Sequence, residues 1–209
     1  MYTLYYSQGA CSLATQIVLL ELDQKPILID VNKIDNFNEI NPVGTVPVLI
    51  DNTEVLSEGA AIILYLLDKH QSSMLPNIGN TRTNAIQDIM FANATMHPAY
   101  SKLFFLGKSI INKEEKINAL NIAAKQINLL WKVVENKLSN QPFLGGDSYS
   151  AADIMLTVYS TWGDFFPVDI VYGAQTEKML AAIQSLPSFI NATNAEKIKS
   201  NSYLSQESS

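Results

Sequence analysis

Tyr5-Tyr6-Ser7-Gln8-Gly9-Ala10-Cys11-Ser12 decides how this chain is read, because an aromatic strand ends there and a helix begins. Met1 to Tyr6 is aromatic-rich, as strands are. Ser12 to Leu22 carries Leu13, Ile17 and Leu20 at helical spacing. Gly9-Ala10 between them lets the backbone turn sharply and approach a ligand. Cys11 therefore sits at a helix start, facing backbone N–H groups without helical partners and the positive end of the helix dipole. Both favour thiolate over thiol, so the sequence predicts a reactive Cys11 with a lowered pKa and the Ser12 hydroxyl beside it. The plainer alternative is a small buried hydrophobe. Cys11-Ser12-Leu13-Ala14 is a monothiol motif, and Cys11 is the only cysteine. It can hold a mixed disulfide with a small thiol but cannot cycle as a dithiol oxidant.

Outward from this turn, Ile27 to Val31 reads as a second strand. Val46 to Ile50 and Glu54 to Leu56 read as a hairpin turned at Asp51-Asn52. Ser57 to Lys69 reads as a helix capped by Ser57, with Ile62, Ile63, Leu66 and Leu67 on its inner face. The order βαβ then ββα predicts a small mixed sheet with helices packed on it. Two further segments could meet a ligand. In Asn41-Pro42-Val43-Gly44-Thr45-Val46-Pro47, a cis Pro47 would present the main-chain N–H and C=O of Val46 to an extended molecule. On local sequence alone an ordinary trans proline opening an edge strand wins, since only ~5–6% of X–Pro bonds are cis. At Ser57-Glu58-Gly59, helix N–H groups could receive a carboxylate while Glu58 pairs with an ammonium; a simple cap with a dipole-favoured Glu58 is the alternative.

The pattern changes after His70. Turn formers between Gln71 and Asn80 mark a linker, and from Arg82 the periodicity is helical. Ile117, Leu120, Ala124, Ile127, Trp131, Val134 and Leu138 trace one long amphipathic helix. Ser150 and Asp153 form a capping box opening a central helix. The expected domains are 1–76 and 82–204, with the polar tail Ser205 to Ser209 fraying. His97 lies in the helical half, where an isolated histidine is either a settled packing residue or a functional one. Of the alternating pair Tyr5 and Tyr6, one must face the core and the other is free to face a ligand.

Composition narrows the function classes. The chain has 209 residues, 47% hydrophobic and 16% charged, with 14 basic against 20 acidic residues and a net charge of −6. No Lys/Arg cluster interrupts that acidic balance, so a phosphate-tracking surface and a nucleic-acid partner are not expected. No apolar run approaches the ~20 residues that span a bilayer, so no membrane association is expected. One cysteine and two histidines make a zinc site unexpected, and no metal is predicted. The absence of a signal-peptide pattern and of a disulfide framework predicts a cytoplasmic protein.

Taken together, Tyr6-Ser7-Gln8-Gly9-Ala10-Cys11-Ser12-Leu13, Asn41 to Pro47, Glu58-Gly59-Ala60-Ala61-Ile62, and the Ser150–Asp153 box after Phe143-Leu144-Gly145-Gly146-Asp147 resemble the cytosolic glutathione transferases. A cysteine in the first turn makes the bacterial beta class the nearest likeness. The resemblance implies a thioredoxin-like α/β N-terminal domain, an all-α C-terminal domain and a homodimer. It implies glutathione as co-substrate: Val46 before a cis Pro47 pairing with its cysteinyl backbone, Glu58 and Gly59 holding its γ-glutamyl end, and Cys11 near its sulfur. His97 matches the family's histidine from the helical domain. Tyr6 and Ser12 join Cys11 and His97 as possible donors to the thiolate. Phe104, Phe105 and Trp162 are possible walls for a small hydrophobic electrophile. The chain departs from the pattern at Gln8, Val43 and Pro98, where a proline and two lysines are usual; thiolate stabilisation then falls more on backbone dipoles and His97. The implied activity is conjugation of glutathione to electrophiles or thiol exchange through Cys11. The alternative is a non-catalytic binding or regulatory protein on the same fold, since fold alone does not fix function.

Overall fold

The computed structural model describes residues 1–204, with side chains to Lys197; the expected fraying of Ser205 to Ser209 lies outside the described residues. The chain forms two compact units: Met1–Asn77 together with the chain from Gln184, and Ile78–Ile183.

The first unit is built on strands β1 (Tyr2–Tyr6), β2 (Ile27–Asp30), β3 (Val48–Asp51) and β4 (Glu54–Ser57), with helices α1 (Ser12–Glu21), α2 (Phe37–Ile40) and α3 (Gly59–Lys69). The sheet order is β2-β1-β3-β4. β1 runs parallel to β2 and antiparallel to β3, and β3 and β4 form a hairpin. This is the thioredoxin-like mixed sheet that the βαβ–ββα order predicts. Alternation along β1 explains why it is aromatic on both faces. Tyr2 and Leu4 pack with Leu19, Leu49, Ile62 and Leu66 on one side. Tyr5 packs with Phe37 and Val48 on the other.

Two details of the hairpin differ from the sequence expectation. Asp51 is still in the ladder, opposite Glu54, so the turn falls one residue later and Asn52 takes the left-handed conformation at φ 55°. Asn tolerates that conformation better than most residues. Ser57 is likewise held in the ladder opposite Val48. It cannot cap α3, and Glu58 takes the cap position instead.

The second unit is helical: α4 (Gly79–Phe91), α5 (His97–Ser109), α6 (Lys113–Lys137), α7 (Ala151–Ser160) and α8 (Ala174–Gln184). A single π-helical turn, Ala92–Met96, joins α4 to α5. α4 begins before Arg82 because Gly79, at φ 80°, turns the chain into it. Every residue of α7 is buried, as expected of a ten-residue helix whose only charge is Asp153. Around it, Trp131 is 1% exposed and donates its indole N–H to the Tyr100 hydroxyl at 2.9 Å. Among the described residues of this unit the only β pairing is an isolated bridge between Phe143 and Gly146.

The last helix, α9 (Pro187–Leu204), corrects the expected boundary of an 82–204 domain. It packs along α1 and belongs to the first unit. Its buried Phe189, Ala192 and Glu196 recur at helical spacing, so it must bury one face, and α1 supplies the surface.

Candidate functional site

The turn between β1 and α1 is closed by its own polar groups. The Ser12 hydroxyl donates to the Ser7 carbonyl and accepts from the Ser7 N–H, both at 3.3 Å. Ser7 Oγ accepts from Asn32 Nδ2 at 3.0 Å. Ser12 is fully buried, so the structure gives its hydroxyl a clamping role in the turn rather than an opening toward a ligand. Gly9 has φ 70°, which lets the backbone reverse without a Cβ penalty. Its N–H donates to Glu196 Oε2 at 2.8 Å, so α9 holds the turn from behind. Burial pushes the Glu196 carboxyl up to about 7, against the stabilising Gly9 hydrogen bond, and Asp30 adds to the rise.

Cys11 is half-buried at the start of α1, and its thiol donates to the Val46 carbonyl at 3.2 Å. The peptide bond between Val46 and Pro47 is cis. Asn41 shapes the approach to it: its side chain donates to the Thr45 carbonyl at 2.8 Å and accepts from the Val43 N–H at 3.3 Å. The expectation of a lowered thiol pKa is corrected here. Burial pushes Cys11 up to about 11. The backbone N–H groups of Cys11 and Ser12 favour the thiolate, but desolvation outweighs them and the Glu58 carboxylate adds to the rise. A helix start favours the thiolate and desolvation favours the thiol, and at this half-buried cysteine desolvation is the larger of the two.

Glu58 has φ 69° and ψ 108°, a sparsely populated conformation for a residue with a side chain. Such strain costs about 1–3 kcal/mol and clusters at ligand sites. The Glu58 side chain is exposed, and no side chain caps α3. The first backbone donors of α3, starting at Gly59, are therefore left for solvent or an anion, with a carboxylate beside them. Cys11, the Val46 carbonyl and Glu58 are thus brought together in one unit, as the hydrogen bond and the electrostatic coupling of Cys11 to Glu58 show. Tyr5 and Tyr6 are both buried, at 9% and 1% exposure, because the sheet is covered on both faces; neither opens onto a surface.

In the second unit His97 opens α5, with Pro98 at the first turn. Its ring meets Tyr159 and Trp162 edge-on, at 5.2 and 5.1 Å between centroids. Its Nδ1 lies 3.3 Å from Ser101 Oγ. Burial holds the imidazole below its ordinary pKa, so it is neutral at pH 7. Phe104 stands edge-on to Trp162 at 6.0 Å and to Phe166 at 4.9 Å. Trp162 is 5% exposed and Phe104 44%, whereas Phe105 is 69% exposed and joins none of these ring contacts among the described residues.

Sequence reasoning missed Glu196, Asn32 and the role of Asn41. Only Asn41 carried a local signal, lying in a quoted motif; the other two reach the turn through tertiary packing. Among the described residues, no group of three or more His, Cys, Asp or Glu side chains is placed to hold a metal ion. No described helix is long and apolar enough to cross a membrane.

Two family models match the chain: the glutathione S-transferase N-terminal domain over residues 12–74 and the glutathione S-transferase C-terminal domain over residues 94–181. The chain is 30% identical to glutathione S-transferase GST-4.5 of Xanthomonas campestris pv. campestris, over 80% of this chain and 85% of that protein. It is similar to a sphingomonad glutathione S-transferase solved in complex with glutathione, with TM-score 0.80, 27% identity, and 93% and 98% of the two chains covered. A bacterial beta class glutathione S-transferase of Sphingomonas chungbukensis gives the same TM-score of 0.80 at 27% identity, with 93% and 98% covered.

Proposed function

The chain belongs to the glutathione S-transferase family, and from that premise we propose that it is a beta-class-like enzyme whose glutathione site is formed by Cys11, Val46, Glu58 and Gly59. The observation that carries this reading is the Cys11 thiol on the Val46 carbonyl, beside a strained Glu58 at an uncapped helix start. Main-chain groups of Val46 suit the peptide backbone of glutathione. The open start of α3 suits its γ-glutamyl carboxylate, and Glu58 suits the adjacent ammonium. The glutathione-bound sphingomonad relative supports the same substrate.

The neutral Cys11 thiol changes the expected division of labour. Glutathione supplies the attacking sulfur, and the Cys11 S–H, released from the Val46 carbonyl, donates to that sulfur as it becomes thiolate. Sulfur then attacks the electrophilic carbon, a C–S bond forms, and the leaving group departs with the bond's electron pair; the thiol proton passes to solvent. His97, neutral and ordered by Tyr159, Trp162 and Ser101, is a further donor. The electrophile is small and hydrophobic, with Trp162, Phe104 and Phe105 as its walls. The enzyme works as a homodimer in the cytoplasm. The rival reading, a non-catalytic binding protein on the same fold, makes a different prediction. Titration with glutathione followed by turnover of 1-chloro-2,4-dinitrobenzene separates the two. Binding with thioether formation supports the enzyme, binding without turnover supports the rival, and no glutathione binding removes the assignment.

A further inference from the structure

The first unit buries a carboxyl group that the glutathione assignment does not use. Glu196 on α9 is 3% exposed, and glutamates are almost never buried so fully unless paired. Its Oε2 accepts from the Gly9 N–H at 2.8 Å, while its Oε1 is buried without a hydrogen-bond partner. Among the described residues no cation is ion-paired with it. The groups around it can be named element by element. α1 carries no ionisable side chain before Glu21 at its far end. β1 ends in two phenols, Tyr5 and Tyr6, and residues 7–10 of the turn carry no ionisable side chain before the Cys11 thiol. Asp30, ending β2, is the charged group that acts on Glu196; it is itself paired with Lys33 at 3.4 Å and accepts from Asn32. On the described part of α9 the other charge is Lys197, which is exposed.

A buried carboxylate with one hydrogen bond and no cation is costly, whereas a buried carboxylic acid is much less so. The two forms of Glu196 are therefore close in free energy near neutral pH, as its rise to about 7 reflects. They do not hold the turn equally. The carboxylate makes a charge-assisted bond to the Gly9 N–H, roughly twice as strong as the bond a neutral acid makes. Gly9 is where the chain reverses, at φ 70°. Two residues on, the Cys11 thiol meets the Val46 carbonyl, so the grip on Gly9 sets how firmly Cys11 is placed.

We propose that Glu196 is a positioning residue for the Cys11 turn: its carboxylate locks Gly9 in place, and protonation of that carboxylate slackens the lock. The functional consequence rests on the glutathione reading above. A turn already ordered costs less to fix when a ligand binds, so glutathione affinity should follow the ionised fraction of Glu196 and rise with pH through about 7. Fold stability moves the other way. The folded carboxyl titrates at about 7 and the unfolded one at ~4.3, so the unfolded chain gives up its proton first. Stability from Glu196 is therefore full below pH ~4.3 and lost as pH rises to about 7. Above that pH the site is tightened while the fold is loosened.

The first test needs no glutathione. Amide NMR of the full chain between pH 5.5 and 8 should show the Gly9 N–H shift with one inflection near pH 7. Glu196→Gln keeps an acceptor oxygen but cannot ionise, and should lose that inflection. A Gly9 amide that does not titrate, or titrates alike in both proteins, overturns the lock. The second test is calorimetric titration with glutathione at pH 6 and pH 8. The parent should bind about 5-fold tighter at pH 8, the difference between a charge-assisted and a neutral hydrogen bond. Glu196→Gln should bind equally at both, near the parent's pH 6 value; a merely structural role would leave it with the parent's pH profile. Equal parent affinity at the two pH values overturns the coupling to the site. A titrating Gly9 with no glutathione binding at either pH would support the lock and remove the glutathione assignment, so the two failures are distinguishable.

Discussion

The start of α7 and the start of α3 use the same backbone donors in opposite ways. At α7 the Ser150 hydroxyl accepts from the Asp153 N–H at 3.4 Å, and Asp153 Oδ2 accepts from the Ser150 N–H at 2.8 Å and its hydroxyl at 2.7 Å. Asp153 Oδ1 also accepts from the Leu144 N–H at 3.0 Å. The cap is buried and its partners are all protein groups. At α3 the cap residue Glu58 is strained, its side chain is exposed, and no side chain closes the helix. A closed helix start stabilises the fold; an open one leaves its donors to solvent or to a bound group. α1 lies between the two, with Cys11 at its start bonded to Val46 but buried enough to stay protonated.

Breaking the closed start should have the largest effect. Asp153→Ala strands the buried N–H of Ser150 and the half-buried N–H of Leu144 and removes the box, which should cost about 3 kcal/mol of stability. Denaturant unfolding reads the loss, and the folded fraction should bind glutathione as before. Weakened glutathione binding in that fraction would show that α7 acts on the site as well as on the fold.

At the open start, stability and binding should move in opposite directions. Glu58→Gly relieves φ 69° and should gain about 1 kcal/mol in stability. It removes the ammonium partner, which should cost about 1.5–3 kcal/mol in glutathione affinity. A thermal melt and a calorimetric titration on one preparation check both signs. A variant that is less stable, or binds glutathione unchanged, would show that α3 is not held open for the ligand.

The last contrast concerns Cys11, whose effect on stability is confined to alkaline pH. With the folded thiol pushed up to about 11 and an unfolded value of ~8.5, the unfolded chain loses its proton first as pH rises. Cys11 therefore contributes stability below pH ~8.5 that is lost on the way to pH ~11, and Cys11→Ala should show a shallower alkaline decline than the parent. Iodoacetamide should modify Cys11 more slowly than free cysteine at pH 7.5. Fast labelling there would restore the thiolate expected from the helix start alone.

These contrasts mark how far the sequence could be read. The Ser150–Asp153 box was legible because its partners are three residues apart and the geometry is local. The βαβ–ββα order gave the sheet, since each element's periodicity is set by its own residues. The cap of α3 was assigned one residue early, because Ser57 is a favourable cap by type and only the ladder to Val48 keeps it in the strand. Helical periodicity from Arg82 onward puts α9 in the helical half; its packing on α1 depends on a surface far away in the chain.

By itself, then, the sequence determined what is local: where helices and strands form, that the single thiol stands at a helix start, and which residues carry donors and charge. Tertiary structure alone decided the chemical state of those groups. Cys11 meets the Val46 carbonyl 35 residues away, and Gly9 meets Glu196 from the far end of the chain. A pKa reports the solvent and charges around an atom, and those come from whichever segments fold over it. Local order placed the thiol beside the helix dipole, and burial by distant residues kept it protonated.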